Sequence, residues 1–126
     1  MKLSEYQAIF TYNIADLILF ANSIGIALTQ GEAYRTKDQQ LLYFHGYNIV
    51  EKNGKLKLVK GIKRSKTMNS NHLRKLAKDF NHFIDGKLIE DRKTLQRLGD
   101  YWCSLHPKNR WGGNWGWDVP HYEMNL

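Results

Sequence analysis

The chain of 126 residues has a single cysteine, Cys103, only two prolines, Pro107 and Pro120, and no acidic residue between Lys52 and Lys78. Each scarcity excludes something. One cysteine rules out an internal disulfide and any multi-cysteine metal site, so a metal centre would have to be built from His, Asp and Glu. There is no internal repeat and no low-complexity tract. Long hydrophobic runs are missing too. The most apolar stretch, from Ile14 to Leu28, is broken by Asp16, Asn22 and Ser23 and falls short of a membrane span. It also lacks a basic region ahead of it and a small-residue cleavage site behind it, so the expectation is no signal peptide and a cytoplasmic start.

What is present describes a globular protein. A hydrophobic fraction of 42% and an aromatic fraction of 13% suit one modest core, and the length predicts a single domain spanning 1–126. The net charge of +7 is local: ten of the nineteen Lys and Arg residues fall between Lys52 and Lys78. Such a patch suits a polyanionic partner, whether nucleic acid, an anionic cell envelope or a lipid surface. It reads equally as a solvated lysine-rich hairpin.

Periodicity gives the elements. Residues 4–23 place Ile9, Ile14, Leu17, Ile18 and Ala21 at helical spacing, with Ser4 as N-cap and Gly25 as terminator. Ile26 to Thr29 reads as a short strand, and a second helix follows Thr36, with Leu41, Leu42 and Phe44 inside it. Asn53-Gly54 is a two-residue hairpin turn, because both residues tolerate positive φ. Lys55-Leu56-Lys57-Leu58 alternates as a half-buried strand should. Residues 61–72 read as loop, and Leu76 to Phe83 as the central strand. Thr94 to Leu105 is a helix with Leu95, Leu98, Trp102 and Leu105 on one face, and His121 to Leu126 is a final strand. Helices and antiparallel-looking strands mix without a βαβ rhythm, which predicts an α+β fold, a small antiparallel sheet packed with helices.

Two imidazoles and a carboxylate form a common catalytic zinc set, with the fourth position left to water. Candidates lie in Ser70-Asn71-His72, at Asp79, and in Trp117-Asp118-Val119-Pro120-His121-Tyr122-Glu123. Seven residues separate His72 from Asp79, the wrong parity for one strand face. The pair works only if His72 sits in the loop and Asp79 on the strand. His121 and Glu123 share one face of the last strand. Taken singly, any of these histidines reads as a surface or core-edge imidazole.

The run Ser70-x-His72-x-x-x-x-Ala77-x-Asp79, followed by Asp118-x-x-His121-x-Glu123, resembles the M15 peptidases. That family includes D-alanyl-D-alanine carboxypeptidases, D,D-dipeptidases and phage L-alanyl-D-glutamate endolysins. Glu32-Ala33-Tyr34-Arg35-Thr36-x-x-x-Gln40 looks like its arginine segment. Leu98-Gly99-x-Tyr101-Trp102-x-Ser104-Leu105-His106-Pro107 and Arg110-Trp111-Gly112-Gly113-Asn114-Trp115 are similar to stretches of its prophage-type members. The likeness runs over residues 4–124. It departs at Lys75, where the family pattern has glycine, and at Asn114, where many relatives carry aspartate.

The resemblance implies a Hedgehog/DD-peptidase-like fold and Zn2+ held by His72, Asp79 and His121. It makes Asp118 the general base and Arg35 the helper at the developing oxyanion. Ser70 would bond substrate or the adjacent loop, and Glu123 would orient a ligand. Beside the resemblance, Trp111, Trp115 and Trp117 are assigned to the substrate groove, Gln40 to helix packing, and His45, His82 and His106 to structure, with His45 and His106 as helix-end imidazoles meeting C-terminal dipoles.

The implied function is a zinc peptidase cutting peptidoglycan stem peptides at the L-alanyl-D-glutamate bond. It would act as a monomer on the cell wall after release, with no cofactor besides the metal and with the 52–78 patch facing an anionic envelope. Three alternatives stand: a D-Ala-D-Ala carboxypeptidase or dipeptidase, a basic nucleic-acid-binding protein or metal nuclease, and a zinc-free wall-binding module. Against nucleic acid, aromatic residues are not interleaved with the basic run.

Overall fold

Asp91 accepts a hydrogen bond from the Thr94 amide and starts the shorter of the two core helices, Arg92–Leu105, two residues earlier than the periodicity suggested. This capped helix lies in a computed structural model that describes residues 1–126. In chain order the elements are α1 (Leu3–Ser23), β1 (Ala27–Gln30), α2 (Lys37–His45), β2 (Tyr47–Lys52), β3 (Lys55–Lys60), β4 (Ala77–Ile84), β5 (Lys87–Ile89), α3 (Arg92–Leu105), β6 (Asn109–Trp111) and β7 (His121–Met124). Two 3-10 turns, Asn71–Arg74 and Gly112–Trp115, complete them. No helix is long and apolar enough to cross a membrane.

The fold is α+β, as expected. The main sheet runs β1-β4-β7-β6 with β5 paired to β4, every pairing antiparallel. The apolar faces of α1 and α3 close over it: Phe10, Leu17 and Ala21 meet Leu95, Leu98, Trp102, Phe80, Tyr122 and Met124. Phe10 meets Trp102 edge-on, with ring centroids 5.6 Å apart. The buried line of α1 is Phe10, Asn13, Leu17 and Ala21, steps of three and four residues that keep one face inward. Ile18, assigned to that face from sequence, lies outside it and is exposed. The N-cap is Lys2 and not Ser4, since the helix begins at Leu3.

Three further expectations change. Thr36 caps α2 as read, accepting from the Gln39 amide, but the buried residue of α2 is Gln40, and Leu41 is exposed. The Asn53-Gly54 turn forms with both residues at positive φ, 53° and 74°. Yet β2 and β3 pair only with each other and are exposed throughout, where a half-buried strand was expected. Trp111, assigned to the groove, is fully buried in the core. A Cβ on Gly99 or Gly113 would overlap its ring, so the two glycines make the slot that holds it.

Candidate metal centre

The antiparallel register of β4 against β7 sets Asp79 opposite His121 and Ala77 opposite Glu123, four side chains on one sheet face. Asp79 is fixed from its other side as well. Its amide donates to Glu32 O at 2.7 Å and its carbonyl accepts from Gly31 N at 2.9 Å. A Cβ on Gly31 would lie 2.8 Å from the Asp79 carbonyl oxygen, so only glycine lets the two backbones approach this closely.

His72 arrives from the loop, as the parity argument requires. It sits in the 71–74 turn, whose N-cap Ser70 accepts from the His72 amide at 3.2 Å. The turn closes on Lys75, which adopts a left-handed conformation at φ 59° and ψ 35°. Leu76 N returns to Asn71 O at 3.0 Å. Glycine suits such a C-terminal position best, which accounts for the glycine of the family pattern. Here lysine is accommodated, with its Nζ 5.1 Å from the centre of the Tyr34 ring.

Each histidine has one ring nitrogen engaged and the other turned to Asp79. His72 Nδ1 lies 2.6 Å from Ala33 O, and its Nε2 lies 3.5 Å from Asp79 Oδ1. His121 Nε2 lies 2.7 Å from Glu123 Oε1, and its Nδ1 lies 3.1 Å from Asp79 Oδ1. Since Ala33 O only accepts, His72 Nδ1 carries the proton there and Nε2 keeps a lone pair. In its neutral form, the one a metal requires, His121 takes the mirror assignment, with the proton on Nε2 toward Glu123. All three donor atoms fall within 4.8 Å of one another. Donors held about 2.0–2.2 Å from one tetrahedral ion are separated by roughly 3.3–3.6 Å, and the 3.5 and 3.1 Å from Asp79 Oδ1 to the two imidazoles lie near that, so the set could hold a metal ion such as zinc. The engaged nitrogens are the outer partners that fix tautomer and ring orientation in histidine-ligated metal sites.

The electrostatics agree. Without a metal the facing ring nitrogens can take up protons: burial alone would raise Asp79, but His121 and His72, donating to it when protonated, hold its carboxyl well below the usual carboxylate range. Burial alone would lower His121, but Asp79 and Glu123 outweigh it and push the imidazole up to about 9. The spot is thus one where positive charge is stabilised. Glu123 is fully engaged: Oε2 accepts from Arg110 Nε at 2.9 Å and Asn71 Nδ2 at 3.0 Å. It therefore ties β6, β7 and the 71–74 turn together.

A cleft of about 950 Å³ opens over the three donors, and Asp118, Arg35, Ser70, Glu123, Trp115 and Trp117 line it with them. The residues assigned from sequence to metal, catalysis or substrate, apart from Trp111, thus share one cavity. Asp118 is partly buried on the turn leading into β7, with its amide bonded to Gly112 O and its carbonyl accepting from the His121 amide. A Cβ on Gly112 would strike Asp118 and come within 3.0 Å of the His121 Cβ, which explains a glycine there. Burial raises the Asp118 carboxyl, and the neighbouring charges of Asp79 and Glu123 add to this against the opposing pull of His121 and His72. Trp115 packs 5.4 Å from the His121 ring and 6.2 Å from Trp117, making one aromatic wall.

Arg35 is held by an ion pair with Glu32, by Gln40 Oε1 at 2.7 Å and by the Tyr43 ring 4.8 Å below the guanidinium. Its bond to Ser70 Oγ is long, at 3.4 Å. Gln40 was undervalued as helix packing. It also donates to Ser65 Oγ at 2.9 Å and to Thr67 O, pinning the 61–70 loop to the arginine. Its place one turn after the Thr36 cap was the available clue. Glu32, Asn71 and Arg110 were also missed as site residues, and Lys63, Arg64 and Lys66 add a basic rim.

The other histidines lie outside the cleft. His82 is buried on the opposite face of β4, 2.7 Å from the Tyr122 hydroxyl. His106 follows the end of α3, where its Nδ1 accepts from the Lys108 amide at 3.1 Å. His45 lies in the last turn of α2 as expected. Asn114 is exposed and reaches Gln96 on α3, away from the donors.

No family model matches the chain, and no curated protein matches it. Among solved structures it is similar to the L-Ala D-Glu endopeptidase ChiX of Serratia marcescens, with a TM-score of 0.60 at 17% identity, covering 86% of this chain and 75% of that one. The two share a fold.

Proposed function

We propose that the protein is a zinc metallopeptidase of the M15 type that hydrolyses peptidoglycan stem peptides at the L-alanyl-D-glutamate bond, in the manner of a phage endolysin acting on the wall after release. The observation that carries this reading is the convergence of His72 Nε2, Asp79 and His121 Nδ1 beneath an open cleft, on a fold shared with an L-Ala D-Glu endopeptidase. When bound, zinc would supply a water of lowered pKa and polarise the scissile carbonyl. His72, Asp79 and His121 would hold it, with Glu123 and the Ala33 carbonyl orienting the two rings.

Asp118 takes the proton of the attacking water on its carboxylate and returns it to the leaving amine. Its partly buried position keeps the carboxyl basic enough for the first transfer. Arg35, fixed by Glu32 and Gln40, presents its guanidinium to the oxyanion as it develops. Trp115 and Trp117 flank the peptide and shield that charge from water.

The test is digestion of purified sacculi, with fragments read by mass spectrometry. New L-alanine C-termini and D-glutamate N-termini are expected, abolished by a chelator and restored by zinc. Release of D-alanine alone would replace this bond assignment with the carboxypeptidase alternative. Intact stem peptides with zinc bound would overturn the peptidase reading.

A further inference from the structure

The β2–β3 hairpin plays no part in the core or in the metal centre, and its two faces differ. The register pairs Ile49 with Leu58 and Glu51 with Leu56, so these share a face with Tyr47 and Lys60. The opposite face carries Lys52, Lys55 and Lys57, with Asn48, Val50 and Val59. Leu56 is 73% exposed, Leu58 64% and Ile49 54%, while Ile62, just beyond the hairpin, is 84% exposed. At the base, Gly61 N bonds Gly46 O and Arg64 N bonds Tyr43 O, which anchors the ribbon while leaving both faces in water.

We propose that this hairpin docks the protein on an anionic lipid bilayer. The aliphatic face would enter the boundary between headgroups and acyl chains, and the lysines would meet lipid phosphates. Exposed Ile49, Leu56 and Leu58, neighbours on one face that also carries Tyr47, Glu51 and Lys60, are a standing cost in water, which a bilayer removes. An amphipathic element with lysines on its polar side is the arrangement that lies in a membrane interface. A soluble polyanion would satisfy the lysines and leave Ile49, Leu56 and Leu58 in water. A second copy packed on the aliphatic face would cover Ile49, Leu56 and Leu58 and leave Lys52, Lys55 and Lys57 on the far side without a partner. The surface is separate from the cleft and does not rest on the peptidase reading.

Co-sedimentation of the full-length protein with large unilamellar vesicles tests the inference. Binding is expected to vesicles of phosphatidylcholine and phosphatidylglycerol at 7:3, to be weak on pure phosphatidylcholine, and to fall with added salt. Neutralising each of Lys52, Lys55 and Lys57 to Gln should weaken binding by roughly fivefold per site. The pair Leu56→Ser and Leu58→Ser should weaken it by about tenfold or more, while leaving binding to a single-stranded DNA oligonucleotide unchanged. The circular dichroism spectrum and the urea unfolding midpoint should match wild type in every variant, which separates loss of docking from loss of fold. No binding to the anionic vesicles would overturn the proposal. Serine variants that sediment like wild type, or DNA bound more tightly than the vesicles, would overturn it in favour of a purely electrostatic partner.

Discussion

His121 and Glu123 lie two residues apart on β7, and the 2.7 Å contact from Nε2 to Oε1 leaves His121 Nδ1 as the nitrogen facing Asp79. The pair decides which lone pair is available to a metal. Glu123→Gln keeps the volume but weakens that hold, and an amide nitrogen turned to the ring would force the wrong tautomer. Zinc affinity is expected to fall by about 10–100-fold, read by competition with a chromophoric chelator. Affinity equal to wild type would remove Glu123 from the support of the site.

Lys75 closes the turn that carries His72, and it does so at φ 59°. Both Lys75→Gly and Lys75→Ala lose the contact with Tyr34, so the difference between them isolates the backbone. The glycine variant is expected to be more stable than the alanine variant by about 1 kcal/mol in urea unfolding. Equal stabilities would mean that the left-handed turn is absent in solution.

Much of this site was legible because ligand types and their spacing can be read directly along the chain, whereas packing cannot. The parity of His72 against Asp79 already required a loop-to-strand transition, and the turn at 71–74 provides it. Asn53-Gly54 announced its hairpin because positive φ at both positions leaves few other residues possible. Burial was less legible. Alternation in Lys55 to Leu58 signals two unlike faces, but says nothing about whether either meets a core. Strands of three residues such as β5 and β6 are too short to show a period. Trp111 looked like a groove residue beside Trp115 because only tertiary packing reveals that Gly99 and Gly113 open a slot for it.

Filling that slot should be costly. Gly99 lies on α3 against the Trp111 ring, which is completely buried. Alanine would gain up to about 1 kcal/mol of helix propensity there. Overlap with an indole that cannot move outweighs it, and Gly99→Ala is expected to lose about 1–3 kcal/mol net in chemical denaturation. A stabilised variant would show that the indole has room to shift.

His82 sets a pH dependence of stability distinct from that of the metal ligands. Burial lowers its pKa from 6.5 to about 4, so the folded state keeps it neutral where the unfolded chain takes up a proton. Between those values the unfolded state binds more protons, so stability rises with pH. The contribution is complete above pH 6.5 and lost as pH falls to about 4, a difference on the order of 2–3 kcal/mol. Replacing His82 with Asn should flatten the rise in unfolding free energy across this window, measured with chelator present in both proteins. An unchanged slope would place a neutralising partner beside the imidazole in solution.

Asp118 offers the sharpest separation of chemistry from structure. Its backbone is fixed on both sides, by Gly112 O and the His121 amide, while its side chain faces the cleft. Asparagine preserves the size and the backbone bonds but cannot take a proton from water. Asp118→Asn is therefore expected to bind zinc at wild-type stoichiometry and unfold at the same denaturant concentration. Its kcat on a stem peptide should drop by about 10²–10⁴-fold. A rise in KM alone would point to substrate contact without proton transfer, and wild-type turnover would leave the cleft without its base.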